Sequence, residues 1–300
     1  MYDVIIIGGG PAGITAGIYT LRKKLKTLLI TKDFIGQVGI TGEIENWTGN
    51  TSITGPELME NFTQHLQKYE PEIMEEEVLG ITKEDGLLHI ETTNGQFSSK
   101  TVILATGRKP KRLNIDGEKE FTGKGVVYCT TCDAPFFENK KVIVVGGGNS
   151  GFEAALELTS YTNDITLLDI SPTHRADEYL VQKAKDKNIE TITEASIEKI
   201  KGSSFVEEVV VKDFAQNKSY SLKTDGVFVQ IGSDANTKCV DSLVEKNSCG
   251  DVIVNPSDNS TATEGLFAAG DVTDVSHKQI VIAAGEGAKA GLSVYNYLKK

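Results

Sequence analysis

Cys129-Thr130-Thr131-Cys132-Asp133 is the segment of this chain whose residue types could do chemistry without help from distant positions. A C-x-x-C spacing puts two sulfurs on one turn, where a disulfide can close and one thiolate can be stabilised by neighbouring donors. The alternative for such a pair is zinc, which takes four ligands and usually draws on a second close pair. Cys239 and Cys249 stand ten residues apart with no histidine near either, so the redox reading outweighs the metal reading, and these two read as ordinary thiols. Asp133 is either a plain turn residue or, if burial raises its pKa, a shuttle for the proton that thiolate chemistry requires. His174 and His277 read as surface or satisfied side chains, the commoner fate of a lone histidine.

A dithiol needs a source of electrons, and the chain carries two copies of a segment that could bind one. Val4-Ile-Ile-Ile-Gly8-Gly9-Gly10-Pro11-Ala12-Gly13 and Val142-Ile-Val-Val-Gly146-Gly147-Gly148-Asn149-Ser150-Gly151 match at six of ten positions, offset by 138 residues. In each, a β-branched run ends in G-x-G-x-x-G and opens a helical pattern, Ile14 to Lys24 and Phe152 to Tyr161. The glycines permit a tight turn and close approach of backbone to a pyrophosphate, while the helix N-terminus offers unpaired N–H donors. Each unit therefore predicts one bound dinucleotide. In the second, the strand-like run from Asp164 ends at Asp169, 18 residues beyond Gly151, where a carboxylate would accept from both ribose hydroxyls and repel a 2′-phosphate. In the first, Thr31 stands at that place, and the nearest carboxylate is Asp33.

These motifs require parallel strands and crossover helices to hold them. Thr101 to Ala105 leads into Thr106-Gly107, and Leu266 to Ala269 leads into Gly270-Asp271 before a helical pattern from Gln279 to Leu298. Leu87 to Thr93 and Glu207 to Lys212 alternate as antiparallel strands. The predicted fold class is α/β, with two Rossmann-like dinucleotide-binding domains, one inserted in the other, and antiparallel β connections. Boundaries near Pro110 and Gly232 to Asn236 give an outer domain of residues 1–112 and 240–300 and an inserted domain of residues 113–239.

Length and charge narrow the class further. Three hundred residues suit two domains, and a net charge of −11, from 31 Lys and Arg against 42 Asp and Glu, disfavours nucleic acid and anionic membrane surfaces. No apolar run approaches the roughly 20 residues of a membrane span, the first residues carry no signal-like pattern, and four cysteines are too few for a secreted framework. The expectation is a cytoplasmic enzyme without a metal.

Along nearly its whole length the sequence resembles the low-molecular-weight thioredoxin reductases and, more closely, the flavoprotein subunit of alkyl hydroperoxide reductase without its N-terminal thioredoxin-like extension. The segments that carry the resemblance are Gly8 to Gly13, Ile44 to Gly49, Ala105 to Gly107, Cys129 to Asp133, Gly146 to Gly151, and Phe267 to Val272 through Lys278-Gln279-Ile280 to Gly287. It implies FAD in the outer domain, with Gly8, Gly10, Pro11, Ala12 and Gly13 at the pyrophosphate and Thr31, Gly36, Gln37, Asn46, Ala105, Thr106 and Gly107 around it. Gly270 and Asp271 would face the ribityl chain, and Lys278, Gln279 and Ile280 the isoalloxazine. It implies a nicotinamide dinucleotide at Gly146, Gly148, Asn149, Ser150, Gly151, Asp169 and Arg175. Cys132 would be the sulfur that faces the flavin, Cys129 the nucleophile that exchanges with the partner and Asp133 the proton shuttle, in a homodimer whose nucleotide domain swings.

Two departures from the family pattern matter. Asp169-Ile170-Ser171 replaces the His-Arg-Arg run that grips a 2′-phosphate, leaving only Arg175 further along, which favours NADH over NADPH and leaves open a relative driven by another donor. Ala134-Pro135 follows the C-x-x-C-D where relatives usually have glycine. The expected activity is electron transfer from NADH through FAD and the dithiol to thioredoxin or a thioredoxin-like protein; a separate peroxiredoxin-type peroxidase is the alternative acceptor.

Overall fold

The computed structural model describes residues 1–41 and 43–300, which fall into two compact units. The first opens with β1 (Tyr2–Ile7), α1 (Pro11–Arg22) and β2 (Thr27–Thr31), then α2 (Gly55–Gln67) and β3 (Glu72–Glu75). It continues through β4 (Val78–Glu84), β5 (Leu87–Thr92) and β6 (Gln96–Leu104). The second unit holds β7 (Val126–Val127), the short α3 (Thr130–Asp133), β8 (Val142–Val145), α4 (Asn149–Leu158), β9 (Ile165–Leu168), α5 (Glu178–Asp186) and β10 (Glu190–Ile192). It ends with β11 (Ala195–Gly202), β12 (Val206–Asp213), β13 (Lys218–Lys223) and β14 (Gly226–Val229). Back in the first unit, β15 (Leu266–Ala268) and α6 (Ile280–Leu298) close the chain.

In the first unit the strand order is β3-β2-β1-β6-β5-β4, with β15 also on β6. Strands β1, β2, β3, β6 and β15 run parallel, and β4 and β5 are antiparallel additions. The long β6 pairs through Gln96–Ser99 with β5 and through Val102–Leu104 with β15. Val4 to Ile7 and Val102 to Leu104 are β-branched or leucine and buried, as strands covered on both faces must be. Helix α2 starts at a reciprocal cap: the Thr54 hydroxyl accepts from the Glu57 N–H (3.3 Å), and the Glu57 carboxylate accepts from the Thr54 N–H (3.1 Å). Helices α1 and α6 approach closely because their facing residues are small. A side chain on Gly287 would be built onto the Ala12 carbonyl, and one on Gly291 would meet Ala16 and Tyr19 at 3.1 Å.

The second unit is a five-stranded parallel sheet, β7-β14-β8-β9-β10, beside the antiparallel ribbon β11-β12-β13. It has its own cores, built on Val142, Val144, Phe152, Leu167 and Phe228 on one side and Ile143, Val145, Val209, Val211 and Val227 on the other.

The chain passes between units at Lys109–Pro110 and Ser233–Asp234 rather than at 112 and 239. Backbone pairing accounts for the difference: the Lys111 N–H donates to the Gly232 carbonyl within the second unit, and the Asn236 N–H to the Gly107 carbonyl within the first. A short stretch through Ile44 to Asn46 also groups with the second unit, where Ile44 is buried and its strand touches α3. Asn46, expected in the outer domain, therefore lies outside it. Among the described residues no helix is long and apolar enough to cross a membrane.

Candidate functional site

In the first unit the chain leaves β1 into a turn that only glycine can make. Gly8 has φ 116°, and a Cβ there would fall on the Ala105 carbonyl. A Cβ on Gly13 would fall on the Gly8 carbonyl, so turn and helix touch backbone to backbone. Gly10 is different: it caps α1 without any side-chain partner, and among the described residues no atom beyond its chain neighbours lies within 4 Å of the Cβ it would carry. Pro11 follows at the first helical position, where its missing N–H costs nothing. The helix thus presents its open N–H groups and positive end across a bare cradle, which fits a pyrophosphate.

Several of the remaining residues expected at this cradle are held by hydrogen bonds to neighbours within the first unit. The buried Thr31 donates its hydroxyl to the Asp33 carbonyl (2.6 Å), and the Asp33 carboxylate accepts from Ile35 (2.9 Å) and Gly36 (3.0 Å) N–H groups. Asp33 thus holds the turn in which Gly36 adopts φ 51°. The Gln37 amide donates to the Arg108 carbonyl (2.7 Å). Ala105 pairs its N–H with Ile7, the Thr106 hydroxyl donates to the Asn236 carbonyl (2.6 Å), and the Asn236 amide donates back to Thr106 (2.9 Å), bracing the turn at Gly107. Gly270, at φ 79°, faces the Ala12 methyl and donates its N–H to the Glu286 carboxylate (3.1 Å). Burial raises the Asp271 carboxyl above its ordinary range and lowers the Lys278 ammonium, which also feels the Arg108 charge and donates to the Thr273 carbonyl. Gln279 and Ile280 form the start of α6.

The second unit repeats the construction. Gly146 has φ 133° and would place a Cβ on the Gln230 carbonyl; Gly151 would place one on the Gly146 carbonyl; Gly148 caps α4, and among the described residues no atom beyond its chain neighbours lies within 4 Å of the Cβ it would carry. Two cradles with the same closed and open positions fit two dinucleotides. Asn149 and Ser150 begin α4, and Asn149 exchanges hydrogen bonds with Asp177, its amide donating to the carboxylate (3.1 Å) and its oxygen accepting the Asp177 N–H (2.8 Å). Asp169 is 1% exposed, and its carboxylate fills the space a side chain on Gly147 would need. Arg175 is exposed, and its backbone N–H donates to the Gly147 carbonyl (3.0 Å).

The dithiol lies in this same unit. Cys129 and Cys132 form a disulfide with Cα atoms 5.3 Å apart, and both are partly exposed. The Cys132 N–H donates to the Cys129 Sγ (3.3 Å), an interaction that favours negative charge on that sulfur. Asp133 ends the turn, is 8% exposed, and has its carboxyl pushed up to about 7 by desolvation, against an opposing backbone hydrogen bond from Cys129. The arrangement can exchange a disulfide and hold a transferable proton near neutral pH. Cys239 is half-buried, with its thiol pushed up to about 11 by burial, and Cys249 is exposed; neither is paired.

Sequence reasoning missed three elements. The partly buried Arg108–Asp251 ion pair joins residues 143 apart, and its one local signal is that Arg108 directly follows the Thr106-Gly107 turn. Glu286 binds Gly270 from the second turn of α6, a distance no local pattern signals. His174, set aside as a lone histidine, donates to Asp169 (3.1 Å).

Comparison with known proteins agrees with this geometry. Residues 2–287 match the family described as pyridine nucleotide-disulphide oxidoreductase. The chain is 40% identical over 299 residues to the NADH dehydrogenase of Bacillus subtilis, covering 99% of this chain and 58% of that protein. It is 40% identical over 300 residues to an alkyl hydroperoxide reductase subunit of Staphylococcus aureus, covering 99% and 59%. It thus spans about three fifths of the length of these curated relatives. Among solved structures, thioredoxin reductase from Streptococcus pyogenes superposes with a TM-score of 0.95 at 35% identity, covering 100% of this chain and 98% of that one. The thioredoxin reductase of Giardia duodenalis gives 0.93 at 33% identity, covering 100% and 99%. With its two glycine cradles, its disulfide and a match over nearly all its residues, the chain belongs to the pyridine nucleotide-disulphide oxidoreductase family.

Proposed function

We propose that this chain is an FAD-dependent disulfide reductase that takes electrons from NADH in preference to NADPH and delivers them through FAD and the Cys129–Cys132 pair to thioredoxin or a thioredoxin-like protein, working as a homodimer. The observation that carries the reading is the disulfide with a buried acid of pKa about 7 beside it, in the unit that also holds the second glycine cradle. FAD would be held at Gly8 to Gly13, Thr31, Gly36, Gln37, Ala105 to Gly107, Gly270, Asp271 and Lys278 to Ile280, and the nicotinamide dinucleotide at Gly146 to Gly151 and Asp169. When bound, FAD supplies a carrier that accepts hydride from the nicotinamide and passes two electrons to the disulfide.

This chain's own residues then handle sulfur and protons. Two electrons break the Cys129–Cys132 bond and leave one sulfur to be protonated, and Asp133 holds a proton available for it near neutral pH. Cys129, whose sulfur accepts from the Cys132 N–H, attacks the partner disulfide and forms the mixed disulfide. That attack expels one partner sulfur as a thiolate; Cys132 then attacks the Cys129 Sγ of the mixed disulfide, expels the other partner sulfur, and the Cys129–Cys132 bond re-forms. Preference for NADH rests on the buried Asp169 and on the absence of a basic run beside it; the name of the Bacillus subtilis relative supports the same donor.

A second acceptor, a separate peroxiredoxin-type peroxidase, is favoured by the 40% identity to the Staphylococcus aureus alkyl hydroperoxide reductase chain. Anaerobic titration of the FAD-loaded protein with NADH tests the first half of the reading: the flavin band near about 450 nm should bleach. Oxidation of NADH in the presence of thioredoxin, or of peroxiredoxin with peroxide, then identifies the acceptor. A flavin band that survives excess NADH removes the proposed donor.

A further inference from the structure

Asp169 does not stand alone at the end of β9. Its carboxylate accepts from the Ser171 N–H (3.0 Å) and from Nδ1 of His174 (3.1 Å), and its backbone is fixed on both sides, the N–H donating to Ile192 and the carbonyl accepting from Ala195. A carboxylate only accepts, so the proton of the imidazole shared in this contact is on Nδ1. The His174 ring is itself held in place. Its centroid lies 4.9 Å from that of Phe152 at 75°, edge to face, and Phe152 is fully buried in the first turn of α4. The next residue, Arg175, binds the Gly147 carbonyl through its N–H, and the Glu194 N–H binds the Ser171 carbonyl. Residues 171–175 thus form a strap that returns to the fingerprint with His174 as its inward contact.

We propose that His174 is a positioning residue for the adenosine ribose: by donating to Asp169 it holds the carboxylate against the fingerprint and makes the second cradle selective for a dinucleotide with a free 2′-hydroxyl. This rests on the NADH reading above and deepens it. A carboxylate offers about four acceptor positions. Ser171 and His174 occupy two. A 2′-phosphate brings a like charge and no matching donor, while the nearby exposed Arg175 would attract it. The outcome depends on keeping the carboxylate aimed and compensated. A carboxylate 1% exposed with only the Ser171 N–H for company is poorly compensated, so without the histidine it turns toward other donors, and its grip on the ribose is lost.

Isothermal titration of the FAD-loaded, oxidised protein with ADP-ribose and with 2′-phospho-ADP-ribose isolates the adenosine half from any electron transfer. The wild type should prefer ADP-ribose. His174→Leu, which keeps apolar packing on Phe152, should weaken ADP-ribose about tenfold or more and 2′-phospho-ADP-ribose little, collapsing the preference. His174→Asn, whose amide can donate as Nδ1 does, should recover most of it, which a merely structural role would not predict. His174→Met is a second donor-free variant should leucine unfold the strap, with an unchanged thermal midpoint as the check on folding. Unchanged preference in the donor-free variants, or asparagine no better than leucine, overturns the proposal. Asp169→Asn separates the two levels: if it abolishes the preference while His174→Leu retains it, the NADH reading stands and the role of His174 falls. A wild type without preference for ADP-ribose overturns both.

Discussion

Asp133 is held in a state that the folded protein alone imposes. Its pKa of about 7 lies above the ordinary 3.8 because burial disfavours the charge. The folded chain therefore binds this proton more tightly than the unfolded chain, and the associated stability is fully present below about pH 4 and lost as pH rises through about 7. Asp133→Asn removes the titration. Chemical denaturation of the oxidised proteins should show the asparagine variant gaining on the wild type between pH 5 and pH 8 by about 2 to 3 kcal/mol. The same variant should slow disulfide reduction roughly 10²-fold, the usual worth of a positioned acid–base group. At the partly buried ion pair, Asp251→Ala removes the carboxylate that accepts from Arg108, and a loss of about 1.5 to 3 kcal/mol by denaturant titration is expected. The disulfide and the buried aspartate beside it were legible as candidates because they stand in consecutive residues. His174 and Asp251 were not, since each is joined to its partner by the fold of an irregular loop that leaves no periodic mark.

At the level of strands and helices, the glycines of the two fingerprints divide into those that pack and those that leave room. Gly13 and Gly151 carry a neighbour's carbonyl where a Cβ would go, whereas Gly10 and Gly148 carry nothing. Gly13→Ala and Gly151→Ala should therefore lower the thermal midpoint sharply, since backbone cannot yield as a side-chain tip can. Gly148→Ala should leave the midpoint within a few degrees and weaken ADP-ribose binding, because its methyl enters only the cradle. Comparable losses of stability from Gly148→Ala and Gly151→Ala, measured by differential scanning fluorimetry, would contradict this division. The strand–turn–helix order was legible from the sequence, but both helices start earlier than the expected Ile14 and Phe152. Each begins within its fingerprint, at Pro11 and Asn149, with Gly10 and Gly148 as extended caps. Hydrophobic periodicity registers only after a full turn, so it locates the body of a helix and misses a start made by glycine and proline.

The two units differ in how much chain each needs. Residues Pro110–Ser233 are continuous and carry their own sheet, cores, cradle and disulfide, whereas the first unit is assembled from both ends of the chain. The sequence pointed to this through the small-residue ends of the runs at Thr101–Ala105 and Leu266–Ala269, far apart in the chain, but it could not place the crossings within a few residues, because the backbone pairings at Lys111–Gly232 and Gly107–Asn236 set them. Nor could it show that Ile44, far upstream, adds a buried side chain to the second unit. A polypeptide of residues 110–233 should therefore unfold cooperatively in urea and bind ADP-ribose. It should be less stable than the same unit in the full chain by about 1.5 to 3 kcal/mol, the value of burying one isoleucine side chain. A chain ending at Gln279 should fare worse. Without α6 the small-residue face of α1 at Ala12 and Ala16 is left uncovered, and Gly270 loses the Glu286 carboxylate that accepts its N–H. That truncation should fail to retain FAD through gel filtration, read as a missing flavin band in the protein peak; a yellow, monodisperse product would show that the first unit does not need its C-terminal helix.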